Sequence, residues 1–239
     1  MRIRQVGAHA LLLDCTAPAD TPEAVADIRE AASVEAWRAE LWRRRERGDL
    51  IAVEIVPAAR TVLLDGLPDP TTTAEQLTRW ASVVTAATTS PNQADEDAQA
   101  QADNATTGNG ADDAADVVVP VTFDGPDLPA VAEHWGVDVP AVRHRLTNTR
   151  FRVAFCGFAP GFPYLTGLPA ELALPRLATP RPRVPAGSVA LAGPYAGIYP
   201  GASPGGWQVV GRTDLVLFDV AAHPPARLGP GTTVRMAAA

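Results

Sequence analysis

Arg181 and Arg183 stand two residues apart in RLATPRPRVPAGS, residues 176–188. In an extended segment residues two apart point the same way, so both guanidiniums would face one side. Pro180, Pro182 and Pro185 stiffen that segment, lowering the entropy lost when the two cations are presented together. Paired guanidiniums grip a carboxylate or phosphate through two hydrogen bonds each. The same composition also suits a solvated edge strand, blunted by proline and charge against aggregation. A second stretch, GFAPGFPYLTG (157–167), combines Phe158, Phe162 and Tyr164 with three glycines and two prolines and carries no charge. Pro160–Gly161 suits the centre of a type II turn, and Pro163 holds Phe162 extended. The stretch is either a pocket wall or a corner where the chain packs on itself.

GASPG (201–205) has the spacing of a nucleophile elbow around Ser203. The elbow draws an oxyanion-hole N–H from the residue after the serine and leads into a helix. Here that residue is Pro204, without an N–H, and GGWQVVGRT after it reads as a strand. Ser203 is therefore a candidate ligand contact and not a nucleophile. Strand alternation puts Trp207 and Gln208 on opposite faces.

Other chemistry is scarce. His9, His134, His144 and His223 have no ligand-spaced cysteine or acid beside them, so no metal site is expected. Glu133, Asp138, Glu171, Asp214 and Asp219 form no close carboxylate pair, and no catalytic residue is nominated. Cys15 and Cys156 read as two free thiols, with a disulfide as the alternative. All 20 bases are arginine; without lysine there is no Schiff base and no P-loop. The net charge of -7 is local: seven of the 27 acids lie within residues 86–116, and the 20 that remain balance the 20 arginines. No basic stripe suggests nucleic acid, no apolar run is long enough to span a membrane, and MRIRQVGAHALLLD is too short and polar for a secretory signal. A cytoplasmic protein is expected.

The elements that must position these residues fall into three stretches. Residues 1–85 read as a small α+β domain. It has strands near 2–6 and 9–14, then a helix capped by Thr21–Pro22 that runs to Arg47 and stops at Gly48. Val25, Ile28, Trp37 and Leu41 form that helix's apolar face. IAVEIV (51–56) and TVLLD (61–65) pair as strands turning at Pro57, and a Thr73/Gln76 capping box opens a second helix to about Val84. Residues 86–116 lack aromatic and large aliphatic side chains and read as an acidic low-complexity linker. Residues 117–239 begin with the strand VVVPVTF and a turn at DGPD. Helices at 128–135 and 139–146 follow, then strands in FRVAFCGF, SVALAG, WQVVGRT, LVLFD and TVRM. The result is a barrel or sandwich.

In order, FCGFAPGFPYLTGL, PRLATPRPRVPAGSVALAG, GIYPGASPGGWQVVGRT and LFD resemble one family. It is the KipI family, also called the B-type subunit of 5-oxoprolinase or allophanate hydrolase subunit 1. The similarity is dense over 117–236 and weaker but collinear over 1–85, in GAHALLLD and VPAARTVLLD. It implies a small α+β N-terminal domain followed by a cyclophilin-like β-barrel domain. It also implies a KipA-like partner, the C-type subunit of 5-oxoprolinase or allophanate hydrolase subunit 2. A third, LamB/YcsF-like subunit completes an assembly that opens 5-oxoproline to glutamate with ATP used by the complex. The isolated chain would be inactive and hold no tight cofactor. Related domains occur in the carboxyltransferase part of urea carboxylase, and one Bacillus member inhibits a sporulation histidine kinase, so a regulatory role is the alternative. By this resemblance the substrate-binding residues are Phe158, Pro160, Gly161, Tyr164, Arg181, Arg183, Ser188, Tyr199, Ser203, Gly206, Trp207, Gln208 and Arg212. The chain departs from the family pattern at Ala8 after Gly7, at Leu146 before Thr147 where a histidine is usual, and at Gly231–Thr232 where Gly-Asp is usual. His144 could replace that histidine only from a different helical face.

Overall fold

A computed structural model describes residues 1–89 and 117–239. The acidic linker expected over 86–116 thus lies almost wholly outside the described residues. The chain divides into two compact units, one of residues 1–21 and 29–89, the other of residues 22–28 and 117–239.

The first unit is an antiparallel sheet with two helices, of the first of which it holds the part from residue 29 on. Strands β1 (Arg2–Gln5), β2 (Leu11–Asp14), β3 (Glu54–Pro57) and β4 (Thr61–Asp65) lie in the order β1-β2-β4-β3. Helix α1 (Glu23–Glu46) ends at Gly48, whose φ of 79° is open to glycine without cost. Gly48 N–H donates to Arg45 O and Asp49 N–H to Arg44 O, the paired bonds of a Schellman exit. Trp37 and Leu41 are buried as expected, whereas Val25 is exposed and Val34 fills the inward stripe. Strand β3 starts three residues later than IAVEIV suggests. Leu50 N–H still bonds Arg44 O at the helix exit, and Ile51 and Val53 are exposed. Helix α2 (Pro70–Thr89) begins before the Thr73/Gln76 box. Asp69 is the true cap: its carboxylate accepts from Thr72 N–H (3.1 Å) and hydroxyl (2.6 Å), Pro70 takes the first turn, and Thr73 donates to Asp69 O.

The second unit is a β-barrel that is nearly closed. Its strands are β5 (Val117–Val121), β6 (Arg150–Cys156), β7 (Pro163–Thr166), β9 (Ser188–Ala192), β10 (Tyr195–Ile198), β12 (Gln208–Arg212) and β13 (Thr233–Ala238), in the order β12-β9-β10-β7-β6-β13-β5. β13 and β5 are parallel and the other neighbours antiparallel. Thr122 and Arg212 exchange backbone hydrogen bonds of 2.9 Å, which joins the end of β5 to β12. Glycine makes this seam possible. A Cβ on Gly125 would lie 2.3 Å from Val209 O, and one on Gly211 would lie 2.6 Å from Thr122 O.

Helices α3 (Leu128–Trp135) and α4 (Val139–Asn148) occupy the positions expected from sequence. Asp138 caps α4 through Ala141 N–H at 2.8 Å. Alternation along the strands builds two cores on opposite faces. Val153, Leu165, Val189, Leu191, Ile198 and Val210 join Val131 and Leu146 of the helices. Phe162, Ala190, Ala192, Tyr199, Trp207 and Val209 form the other, which the two-stranded sheet of β8 (Arg181–Val184) and β11 (Ser203–Gly205) accompanies through Val184. LVLFD is not a strand. Leu217 is buried between exposed Val216 and Phe218, as in a strand, but the segment bonds residues 225–227 through Arg227 N–H to Leu217 O and Asp219 N–H to Pro225 O. Cys15 and Cys156 are both free.

Candidate functional site

The loop after β6 supplies the first side of the site. Phe162 N–H donates to Ala159 O at 3.0 Å and Gly161 has a φ of 77°, so Pro160–Gly161 is the centre of a type II turn. Phe158 has a φ of 65°, a conformation that bulky residues rarely occupy. Phe158 is 62% exposed while Phe162 is 1% exposed. The stretch is thus a packed corner at Phe162 and a presented aromatic face at Phe158.

Around Phe162 the rings gather without ideal stacking. Phe158, Tyr199 and Trp207 meet it edge-on at 5.3, 5.1 and 5.5 Å, and Tyr164 lies at 5.1 Å. Tyr164 in turn stacks on Phe155 at 4.2 Å and meets Tyr195 and Trp207. Register explains the gathering: Tyr164 of β7 faces Gly197 of β10, and a Cβ there would lie 2.8 Å from the Trp207 ring and 2.9 Å from Phe162. The absent side chain makes room for both rings. Burial raises the hydroxyl pKa of Tyr164 and of Tyr199, and the Arg176 charge opposes it at both.

Polar groups border the cluster. Arg181 donates from Nη2 to Asp127 Oδ1 at 2.7 Å and from Nη1 to Trp207 O at 3.5 Å. Asp127 Oδ2 accepts from Val209 N–H at 2.6 Å. Arg183 is on the same face of β8 by alternation and is exposed. Gly205 pairs with Arg181, and a Cβ on it would lie 2.3 Å from the Tyr199 hydroxyl. Gly206 O accepts from Leu177 N–H at 2.7 Å, and Gln208 Nε2 donates to Pro175 O at 3.3 Å. Two buried polar atoms near these groups, Ser203 Oγ and Gln208 Oε1, have no partner among the described residues.

The chain therefore brings together Phe158, Pro160, Gly161, Tyr164, Arg181, Tyr199, Ser203, Gly206 and Trp207, with Arg183 on the exposed side of β8. Gln208 points to the opposite face of β12 from Trp207 but is tied back through Pro175. Ser188 is buried on β9 and pairs with Arg212. Arg212 is four residues from Gln208, about 13 Å along a strand, and bonds Asp124 at the seam (2.9 Å); it does not join the cluster. Sequence reading missed Asp127, which the DGPD pattern presents as a turn residue, and Arg176, which opens the proline-rich stretch but lacks the two-residue spacing.

Elsewhere, chemistry is thin. His144 is exposed on α4 beside Asn148 while Leu146 is buried, so the two occupy different helical faces. Cys156 donates to Leu228 O, and burial raises its thiol pKa, which holds it as an unreactive thiol. Among the described residues no three of His, Cys, Asp and Glu gather as metal ligands, and no helix is long and apolar enough to cross a membrane. A hollow in the first unit, lined by Ile3, Gln5, Leu11, Thr71 and Thr78, has Glu75 as its ionisable group.

A helix-bearing α+β unit followed by a nearly closed barrel defines a carboxyltransferase-type architecture. The chain belongs to the family described as carboxyltransferase domain, subdomain C and D, whose model matches residues 1–228. Over 122 residues, half of the chain, it is 48% identical to the B-type subunit of 5-oxoprolinase from Escherichia coli O157:H7. Over the same length it is 43% identical to the B-type subunit from Bacillus subtilis (strain 168). The matches cover 56% and 51% of those proteins, so the chain spans about half the length of the curated relatives it matches. Among solved structures, TTHA0988 superposes with a TM-score of 0.60 at 29% identity, covering 100% of this chain and 40% of that one. Kluyveromyces lactis urea carboxylase superposes at 0.54 and 18% identity, covering 99% of this chain and 21% of that one, a likeness of fold.

Proposed function

We propose that this chain is one subunit of an ATP-dependent 5-oxoprolinase-type amidohydrolase, acting with a KipA-like and a LamB/YcsF-like subunit on 5-oxoproline. The reaction consumes 5-oxoproline, ATP and water and yields glutamate, ADP and phosphate. The observation that carries the reading is the union of a presented aromatic face at Phe158, backed by half-buried Tyr164, with arginines on the adjoining segments, in a chain whose curated relatives are named as 5-oxoprolinase subunits of the B type. Such a face suits a small, flat, carboxylated molecule. The acid in this region, Asp127, is engaged by Arg181 and Val209 N–H, so the site holds and orients substrate while the partner subunits supply the groups that activate it. The test is co-expression with both partners and measurement of ATP-dependent glutamate formation from 5-oxoproline. Turnover by the assembled complex and none by the chain alone is expected; a fully assembled complex without turnover overturns the reading.

A further inference from the structure

Sequence spacing singles out Arg181, but its guanidinium already serves the fold. One Nη bonds the buried carboxylate of Asp127 at 2.7 Å, the other approaches Trp207 O at 3.5 Å, and the side chain is 30% exposed. Arg176 differs in each respect. It is exposed and makes no ion pair among the described residues. Its backbone, however, is pinned on both sides, because Gln208 Nε2 donates to Pro175 O and Leu177 N–H donates to Gly206 O at 2.7 Å. Both anchors flank Trp207 in sequence, so Arg176 is fastened at the edge of the aromatic cluster. Its charge opposes the burial-raised hydroxyl pKa at Tyr164 and Tyr199, and at Tyr199 the Arg181 charge acts in the same direction. The anchor residue itself is incompletely satisfied: Gln208 is 9% exposed, and among the described residues its Oε1 and the buried Ser203 Oγ have no partner. Buried polar atoms of this kind are completed by water or ligand.

We propose that Arg176, fastened beside Trp207 through the Pro175–Gln208 and Leu177–Gly206 hydrogen bonds, is the cation that receives the anionic group of the substrate, and that Arg181 is a positioning residue which holds β8 to the barrel. The inference rests on the 5-oxoprolinase-type reading and names the anion subsite within it. The ligand class is a small carboxylic acid with a flat body, its carboxylate on Arg176 and its body against the exposed edge of the rings. A free guanidinium can offer such a carboxylate two parallel donors. Arg181, with one edge on Asp127, cannot offer that edge without leaving a buried carboxylate unpaired.

The test is calorimetric titration of 5-oxoproline and of benzoate into the full chain, alone and co-purified with the two partner subunits. Arg176→Gln is expected to weaken both carboxylates by about tenfold or more with an unchanged Tm, and Arg176→Lys to recover part of the loss. Arg181→Gln is expected to lower the Tm as well as the affinity. Wild-type binding of 5-oxoproline that Arg176→Gln leaves intact overturns the subsite while the substrate reading stands. Wild-type binding of benzoate but not 5-oxoproline overturns the substrate reading, and the Arg176→Gln effect on benzoate then decides the subsite. Binding of neither carboxylate in either form overturns the subsite too.

Discussion

Asp127 and Arg181, 54 residues apart, form an ion pair of 2.7 Å that is continuous with the barrel seam. Asp127 N–H donates to Val209 O at 3.0 Å while Val209 N–H donates back to Asp127 Oδ2 at 2.6 Å. The residue that opens α3 is thus stitched to β12 by backbone and side chain together, and its second oxygen holds β8. The carboxylate does not cap its own helix.

Asp127→Asn should therefore destabilise the barrel unit. It removes the charge from two short hydrogen bonds, each ordinarily contributing more than a neutral one. Arg181 retains contact with water, which moderates the cost, and a loss of about 2 kcal/mol is expected. Urea unfolding followed by near-UV circular dichroism measures it. In a double-mutant cycle with Arg181→Gln the two losses should be non-additive by about 1 kcal/mol; additive losses would show that the pair does not couple.

Gly125→Ala should be among the more damaging small changes in this unit. The new Cβ would lie 2.3 Å from both Val209 O and Val210 C, all backbone, so relief requires the seam to open. Overpacking of this kind costs about 3 kcal/mol. Gly201, which has nothing within 4 Å of a built Cβ, is the matched control. Gly201→Ala should leave the Tm nearly unchanged; equal shifts for the two would mean that the seam is not tight.

The contrast between these positions shows what was legible in the sequence. Strands with clean alternation, such as SVALAG and WQVVGRT, were readable because each buries one face in either core. LVLFD alternates equally well at Leu217 yet pairs with residues 225–227, because periodicity reports burial and not partnership. Asp69–Pro70 was a readable start for α2, but the Thr73/Gln76 spacing imitated one four residues later. At the site, the type II turn at Pro160–Gly161 and the opposed faces of Trp207 and Gln208 follow from local rules. The Asp127–Arg181 pair does not, since its contact depends on closing the barrel. Arg176 carried no motif of its own; its place is set by hydrogen bonds to Gln208 and Gly206.

Phe158→Gly should separate stability from function. At φ 65° a bulky side chain carries a cost of about 1 kcal/mol that glycine does not. The exposed ring returns part of that through its contacts with Phe162 and Tyr199. The variant should keep its Tm within a few degrees while losing about tenfold or more in turnover of the assembled complex. A variant that is destabilised and fully active would show that the ring serves packing alone.

Asp14→Asn tests the first unit through pH. The Thr16 hydroxyl (2.5 Å) and N–H (3.1 Å) both donate to Oδ1, and these bonds, more than the charges of Arg2 and Arg4, hold the Asp14 carboxyl below its ordinary value. Both arginines are largely exposed at 75% and 61%, so their pairing contributes little. A depressed folded pKa means that the unfolded chain binds more protons in the acid range. The stabilisation is therefore fully present above the ordinary aspartate value, about 3.9, and is lost as pH falls through the lower folded value. At neutral pH Asp14→Asn should cost roughly 1 kcal/mol. That difference should shrink steadily as pH is lowered below about 4. Denaturant unfolding of wild type and variant at several pH values reads the gap, and a gap that stays constant into acid would show that the carboxylate's hydrogen bonds do not stabilise the fold.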